Sequence, residues 1–242
     1  MATGCPATNT WGDLGNKGYM TTVEDEHTLR TLVTADYPEL PYFMYGHSWG
    51  SIIARIYAAK YSEGMAGLVI CGALAEYRPM LGLLSKTLPY IQENKDNEVV
   101  PELMAAFKGA NDRYEDVQGI FDWVAADEGV RFDHSTDPFN NLSTPMNVRL
   151  LHDLSEGLHA VQGVDWAKKI PLTMPIYNIS GDMDPIGDFG EGTYMITRWL
   201  AEAGHRKVTT KVYSGYRHEI HNEPPIRDEV EAGIVQFIED NI

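Results

Sequence analysis

The stretch "LPYFMYGHSWGSIIARIYAAKY", Leu40 to Tyr61, constrains the fold more than any other part of the chain. Leu40–Gly46 is a short apolar and aromatic run flanked by proline and glycine, which reads as a buried strand. Ser51–Tyr61 carries Ile52, Ile53, Ile56 and Tyr57 on one face at helical spacing. Between them sits Ser48, two residues from Gly46 and two from Gly50. A chain passing directly from strand to helix turns sharply. Such a turn strains its central residue and leaves no room for side chains two positions to either side. Gly46 and Gly50 are expected to supply that room. Ser48 then projects its hydroxyl from the C-terminal edge of a sheet. The helix starting near Trp49 aims free N–H groups at the same place.

Three further strands are expected. "AGLVICGA" (Ala66–Ala73) and "MPIYNISGD" (Met174–Asp182) are continuous apolar runs, and "KVTTKVYSG" (Lys207–Gly215) alternates and is β-branched. Helices fit over about Thr21–Asp36, Gly192–Ala203 and Arg227–Asn241. Strands alternating with helices imply a parallel α/β sheet. From Tyr77 to Ile170 no strand pattern occurs. "LGLLSKTLPYIQ", "VPELMAAFKGA", "YEDVQGIFDWVAA" and "NVRLLHDLSEGLHAV" all read as helical. Residues 77–170 are therefore expected to form a helical cap inserted into a core made of 1–76 and 171–242, a plausible size for one domain carrying an insertion. Insertions at the loop end of a parallel sheet often lie over a site.

A serine hydroxyl is a poor nucleophile until a base removes its proton, and the base needs an orienting acid. In this kind of fold the chain order is Ser, then acid, then His, on loops after later strands. The third strand runs into "SGDMDPIG" and the fourth into "YSGYRHEIHNE". Asp184 and His218 are the candidate partners. Asp182 competes for the acid role, but it lies closer to the strand, where it would hold the turn, so Asp184 is preferred. His221 competes for the base role, but His218 comes sooner after its strand. His47 neighbours the nucleophile and points elsewhere in such a turn, which suits packing or support. The remaining histidines, His27, His134, His152, His159 and His205, read as surface or packing residues. No cluster has metal-ligand spacing and no glycine loop fits a phosphate cradle, so neither metal nor cofactor is expected.

The charge balance narrows the partners. A formal net charge of −16 argues against nucleic acid or an anionic membrane surface. No apolar run approaches the length of a membrane span. The N-terminus lacks a basic segment followed by an apolar one. The two cysteines, Cys5 and Cys71, make no disulfide framework, and Cys71 reads as a core thiol. Together these point to a cytoplasmic location.

"LPYFMYGHSWGSIIARIYAAKYSEGMAGLVICGA", "ISGDMDPIGDFGEG" and "VYSGYRHEIHNE" together resemble the α/β-hydrolase superfamily. The nearest branch is the monoacylglycerol lipase and lysophospholipase-like hydrolases, also grouped with serine aminopeptidases. The match runs from about Trp11 to the C-terminus and is weakest in the helical insertion. The resemblance implies a catalytic triad of Ser48, Asp184 and His218, with the insertion as a cap over an acyl-binding site. It also implies more chain before Trp11, carrying the first strands of a larger sheet and an H-G motif whose next residue donates an oxyanion-hole N–H. No H-G pair precedes Ser48 here, so the sequence reads as N-terminally truncated with a reduced sheet. One oxyanion donor remains, the Trp49 backbone N–H. The glycine-rich segment Trp11–Tyr19, with Gly12 and Gly15, is the candidate for the second, because flexible backbone can present N–H groups closely.

Two expectations follow from the shortened sheet. The strand at Tyr42–Tyr45 becomes an apolar edge, which natural proteins seldom leave open, so a rearranged N-terminus or a second chain in a homo-oligomer is expected to cover it. The function expected first is hydrolysis of a small carboxylic ester, a short-chain ester or a monoacylglycerol, through an acyl-enzyme on Ser48. Met80, Leu83, Leu84, Phe107, Phe121 and Trp123 are candidates to line the acyl site, with packing inside the cap as their competing role. A weakly active or non-catalytic relative and an amidase or aminopeptidase using the same triad are the alternatives.

Overall fold

Among the described residues, four strands form one parallel sheet in the order β1-β2-β3-β4. They are β1 (Tyr42–His47), β2 (Met65–Cys71), β3 (Ile176–Gly181) and β4 (Val208–Tyr213). The computed structural model describes residues 13–15, 17–137 and 146–242. All four strands fall on the segments the sequence marks as strands; β3 and β4 are trimmed at both ends, β1 reaches one residue further, to His47, and β2 starts one residue earlier, at Met65. Pairing is in parallel throughout, with His47 beside Cys71 and Cys71 beside Ile179. The three strand ends that carry candidate residues, those of β1, β3 and β4, therefore open onto the same edge.

Two apolar layers sandwich the sheet, because successive side chains alternate in direction along a strand. Leu68 and Ile70 face the larger core, with α1 (Tyr19–Asp36), α2 (Trp49–Lys60) and α8 (Glu191–Ala203). Val69 and Cys71 face the smaller one, with Val230 and Phe237 of α9 (Arg227–Glu239). The sequence gives α2 one apolar face, yet the helix is buried nearly all round from Trp49 to Ala58. The insertion is the reason. The Trp166 indole donates to the Arg55 carbonyl oxygen at 3.0 Å, and Gly157 brings the helix backbone close to the Trp49 ring. Arg55 is buried without a carboxylate partner among the described residues. Its guanidinium reaches the Leu74 carbonyl oxygen at 2.7 Å, and burial lowers its pKa to about 9.

Between β2 and β3 the described chain has helices and turns and no strand, as expected. The helices are α3 (Arg78–Leu81), α4 (Leu83–Gln92), a short 3-10 helix (Pro101–Phe107), α5 (Glu128–Thr136), α6 (Val148–Ala160) and α7 (Gly163–Ala167). Here the sequence reading needs one correction. Tyr114–Ala126 was expected to be a helix and instead runs as a series of turns, while the helix α5 follows it. Side chains from elsewhere occupy the backbone groups a helix would use. The Arg217 guanidinium takes the Asp122 and Ala125 carbonyl oxygens at 2.7 and 3.1 Å. The Glu223 carboxylate accepts from Ala126 N at 2.5 Å, and the Asp122 carboxylate accepts from Gln118 N and Gly119 N. Side-chain bonding to these backbone groups competes directly with helix formation.

Candidate active site

β1 ends at His47, and the next residue has φ 55° and ψ −122°. That residue is Ser48, a non-glycine in a region that costs of order 1–3 kcal/mol and persists only where its surroundings over-determine it. Its backbone is held on both sides. Ser48 N donates to the Cys71 carbonyl oxygen at 3.0 Å, and the Ser48 carbonyl oxygen accepts from Ser51 N at 2.9 Å and Ser51 Oγ at 2.6 Å. Gly46 is required as expected: a Cβ there would lie 2.3 Å from the Gly50 carbonyl oxygen and 2.7 Å from the Ala54 Cβ. Gly50 is not required for the same reason. A Cβ at Gly50 would meet nothing within 4 Å, because that position faces open cavity. What matters at Gly50 is the backbone that approaches Gly46.

The candidate acid and base come together. Asp184 follows β3 and His218 follows β4, and His218 Nδ1–H donates to Asp184 Oδ2 at 2.9 Å. Asp184 is fully buried and His218 is 2% exposed. The other Asp184 oxygen accepts from Ile186 N at 2.9 Å, which fixes the carboxylate plane. Asp182 does something different. Its two oxygens accept from Ser214 Oγ at 2.7 Å and Gly215 N at 2.6 Å, so it fastens the turn after β4. His221 makes no bond to either carboxylate. It packs its ring 4.5 Å from that of His47, and burial lowers its pKa.

Ser48 and His218 line one cavity of about 530 Å³ at the C-terminal edge of the sheet. The Ser48 hydroxyl makes no hydrogen bond to the ring among the described residues, and such pairs commonly tighten only when substrate binds. Trp49, the first residue of α2, lies at the helix end whose N–H groups have no partner within the helix. None of the described residues in the Trp11–Tyr19 segment lines the cavity; Trp11 and Gly12 lie outside the described residues. Gly15 and Gly18 instead pack toward Thr21 and Asp153. Gly15 and Gly18 thus serve the entry to α1, where Gly18 has φ 54°.

The cavity wall is mostly apolar. Met80, Phe107, Phe121 and Trp123 line it, as the sequence suggests, whereas Leu83 and Leu84 do not. Leu83 is buried in the main core. Ile186, Met104 and Leu154 are among the further wall residues, and no local signal marks them, because they come from separate loops and helices. Three polar residues near the base were also missed or under-read. His47 Nε2–H donates to the His218 carbonyl oxygen at 3.2 Å and so supports the loop. Glu219 lines the cavity beside His218; burial raises its pKa, but bonds with His134 and Asn222 outweigh this and bring it to about 2. His134 reaches the same wall from α5, the helix that the sequence reading displaced.

Known proteins match this architecture over nearly the whole chain. The family model described as serine aminopeptidase, S33 matches residues 12–225. A highly thermostable carboxyl esterase from Bacillus coagulans superposes with a TM-score of 0.94 at 45% identity, covering 99% of this chain and 77% of the esterase. A lipase in an open form superposes with a TM-score of 0.86 at 35% identity, covering 95% of this chain and 74% of the lipase. The monoacylglycerol lipase of Mycolicibacterium smegmatis is 26% identical over 235 residues, which are 89% of this chain and 70% of that protein. The human monoglyceride lipase is 27% identical over 192 residues, 78% of this chain, and the match spans just 55% of the human protein. A strained serine between β1 and α2, a buried Asp–His pair on later strand ends of the same parallel sheet, and these matches lead to one assignment: the chain belongs to the serine aminopeptidase S33 family and has the α/β-hydrolase fold.

Proposed function

We propose that this protein is a serine hydrolase that cleaves small carboxylic esters, with Ser48, His218 and Asp184 as its triad. The single observation that carries the reading is the buried 2.9 Å bond from His218 Nδ1–H to Asp184, on the wall of the cavity that Ser48 enters. With Nδ1 carrying that proton, Nε2 is left as the ring's basic atom. Ser48 Oγ attacks the ester carbonyl carbon and its proton passes to His218 Nε2. The Trp49 N–H and the positive end of α2 stabilise the oxyanion. The alcohol leaves with the proton from Nε2, giving an acyl-Ser48. Water then attacks that acyl carbon, His218 takes its proton, and the acid leaves as Ser48 is reprotonated. Asp184 stays ionised and stabilises the imidazolium.

The substrate class follows from the wall. A cavity of about 530 Å³ lies in the usual range for a small-molecule site. Its Met, Phe, Trp and Leu side chains suit an acyl chain, and the carboxyl esterase and monoacylglycerol lipase relatives favour an ester over an amide. Residues 77–170 act as the cap that carries much of this wall, on a core of 1–76 and 171–242. The reading also takes the protein as a cytoplasmic homo-oligomer. The buried free thiol of Cys71 fits a reducing compartment. Among the described strands β1 pairs on one side, with β2, and Tyr45 on it is substantially exposed, so a second copy would cover that edge. Light scattering on the purified protein tests this, and a monomer at working concentration refutes it. No described helix is long and apolar enough to cross a membrane.

Labelling by a fluorophosphonate tests the triad. The parent should label within minutes, Ser48→Ala not at all, and His218→Ala far more slowly. Full labelling of Ser48→Ala would overturn the assignment of the nucleophile. A faster turnover of p-nitrophenyl anilides than of matched esters would overturn the substrate class in favour of amide hydrolysis.

A further inference from the structure

His47, Cys71 and His221 each bring one ligand atom within 4.8 Å of the other two, on the α9 side of the sheet behind Ser48. We propose that these three side chains form a binding site for a single thiophilic divalent cation of the Zn2+ or Cd2+ kind. No spacing in the sequence announces it. His47 and Cys71 end neighbouring strands and are register partners, while His221 arrives on the loop after β4.

The donor set is the right one. Two imidazoles and one thiolate suit zinc and its soft relatives. Hard cations prefer oxygen ligands and are disfavoured here. Ligand bonds of about 2.0–2.3 Å in a tetrahedron put ligand atoms about 3.3–3.6 Å apart. The three side chains must close by roughly an ångström, which small rotations within the present rotamers supply, so that His47 keeps its bond to the His218 carbonyl oxygen.

Two independent observations point into the cluster. His221 Nδ1 is buried with no hydrogen-bond partner among the described residues, in a protein interior where such atoms are rare. His47 already has the support a metal-bound imidazole usually has: its Nε2–H donates to a backbone carbonyl oxygen, that of His218, at 3.2 Å. Cys71 is a free thiol that the ester chemistry does not use. On binding, the Cys71 thiol gives its proton to solvent and the sulfur becomes a thiolate ligand. Occupancy would tie the strand end before Ser48 to the loop that carries His218.

Titration with Cd2+ tests the site, because cadmium thiolate ligation produces an ultraviolet charge-transfer band. The second cysteine, Cys5, is first removed as Cys5→Ala so that any band reports Cys71. In that background the band should saturate at one equivalent of Cd2+. Adding Cys71→Ser should abolish it, and adding His221→Ala instead should weaken binding at least about tenfold. His221 is partly exposed, so the His221→Ala chain keeps the test open if the Cys71→Ser chain does not fold. No band in the Cys5→Ala chain overturns the proposal. A band that survives Cys71→Ser, or unchanged affinity in folded His221→Ala, overturns it equally.

Discussion

Asp184 Oδ2 accepts the His218 Nδ1–H at 2.9 Å, while Asp182, two residues earlier, turns its carboxylate away to Ser214 and Gly215. Two neighbouring acids thus have separate tasks. One orients an imidazole in a buried setting; the other closes a turn at the protein surface. Catalysis and stability should separate accordingly.

Asp184→Asn should lower kcat by about 10³–10⁴-fold with little change in KM, since an amide at this position favours the wrong imidazole tautomer. Asp182→Asn should keep kcat within about tenfold and instead lower the melting temperature. Steady-state kinetics on a p-nitrophenyl ester, together with thermal melts of both variants, check the division. Equal losses of kcat would erase it.

The two glycines of the turn should respond in opposite ways. Gly46→Ala sets a Cβ 2.3 Å from the Gly50 carbonyl oxygen and should cost about 3 kcal/mol or prevent folding. Gly50→Ala meets no atom and replaces glycine inside a helix, so it should be neutral or stabilise by about 0.5–1 kcal/mol. Urea unfolding at equilibrium measures both.

The wall beside His218 is held by Glu223, which accepts from Ala126 N and Asp127 N and is almost fully buried. Glu223→Ala leaves those N–H groups without their partner and should cost about 1–3 kcal/mol. Phe121, Trp123 and Val124 sit on the segment it anchors, so KM for longer acyl esters should rise more than kcat falls. A chain-length series of esters reads this out.

Asp153 gives a pH dependence. It is buried against the start of α1, and burial raises its pKa to about 6. Its folded pKa lies above its unfolded value near 3.8, so the protonated acid favours the fold. That contribution is full below about pH 3.8 and is lost as pH rises through about 6. Asp153→Asn should therefore raise the melting temperature at pH 8 by about 2–4 °C, the effect of 1 kcal/mol in a chain this size. The gain should vanish near pH 4. Melts of parent and variant across that range check the sign.

The strand–turn–helix around Ser48, the four strands and the helices α1, α8 and α9 were all legible in the sequence. Apolar periodicity and glycine placement are local signals, and each acts within a few residues of the structure it specifies. The order Ser48, Asp184, His218 was legible too, because each residue sits just past a readable strand. Tertiary structure decided the rest. Tyr114–Ala126 has a helix-like pattern, yet Arg217 and Glu223, about a hundred residues away, claim its backbone groups. Leu83 went to the core while Ile186 and Leu154 went to the cavity. His47, Cys71 and His221 became neighbours only through strand register and a loop return. Local pattern sets which backbone geometry each segment can adopt. Which side chains meet depends on the packing of distant segments, where buried polar groups take whatever partners the whole fold brings to them.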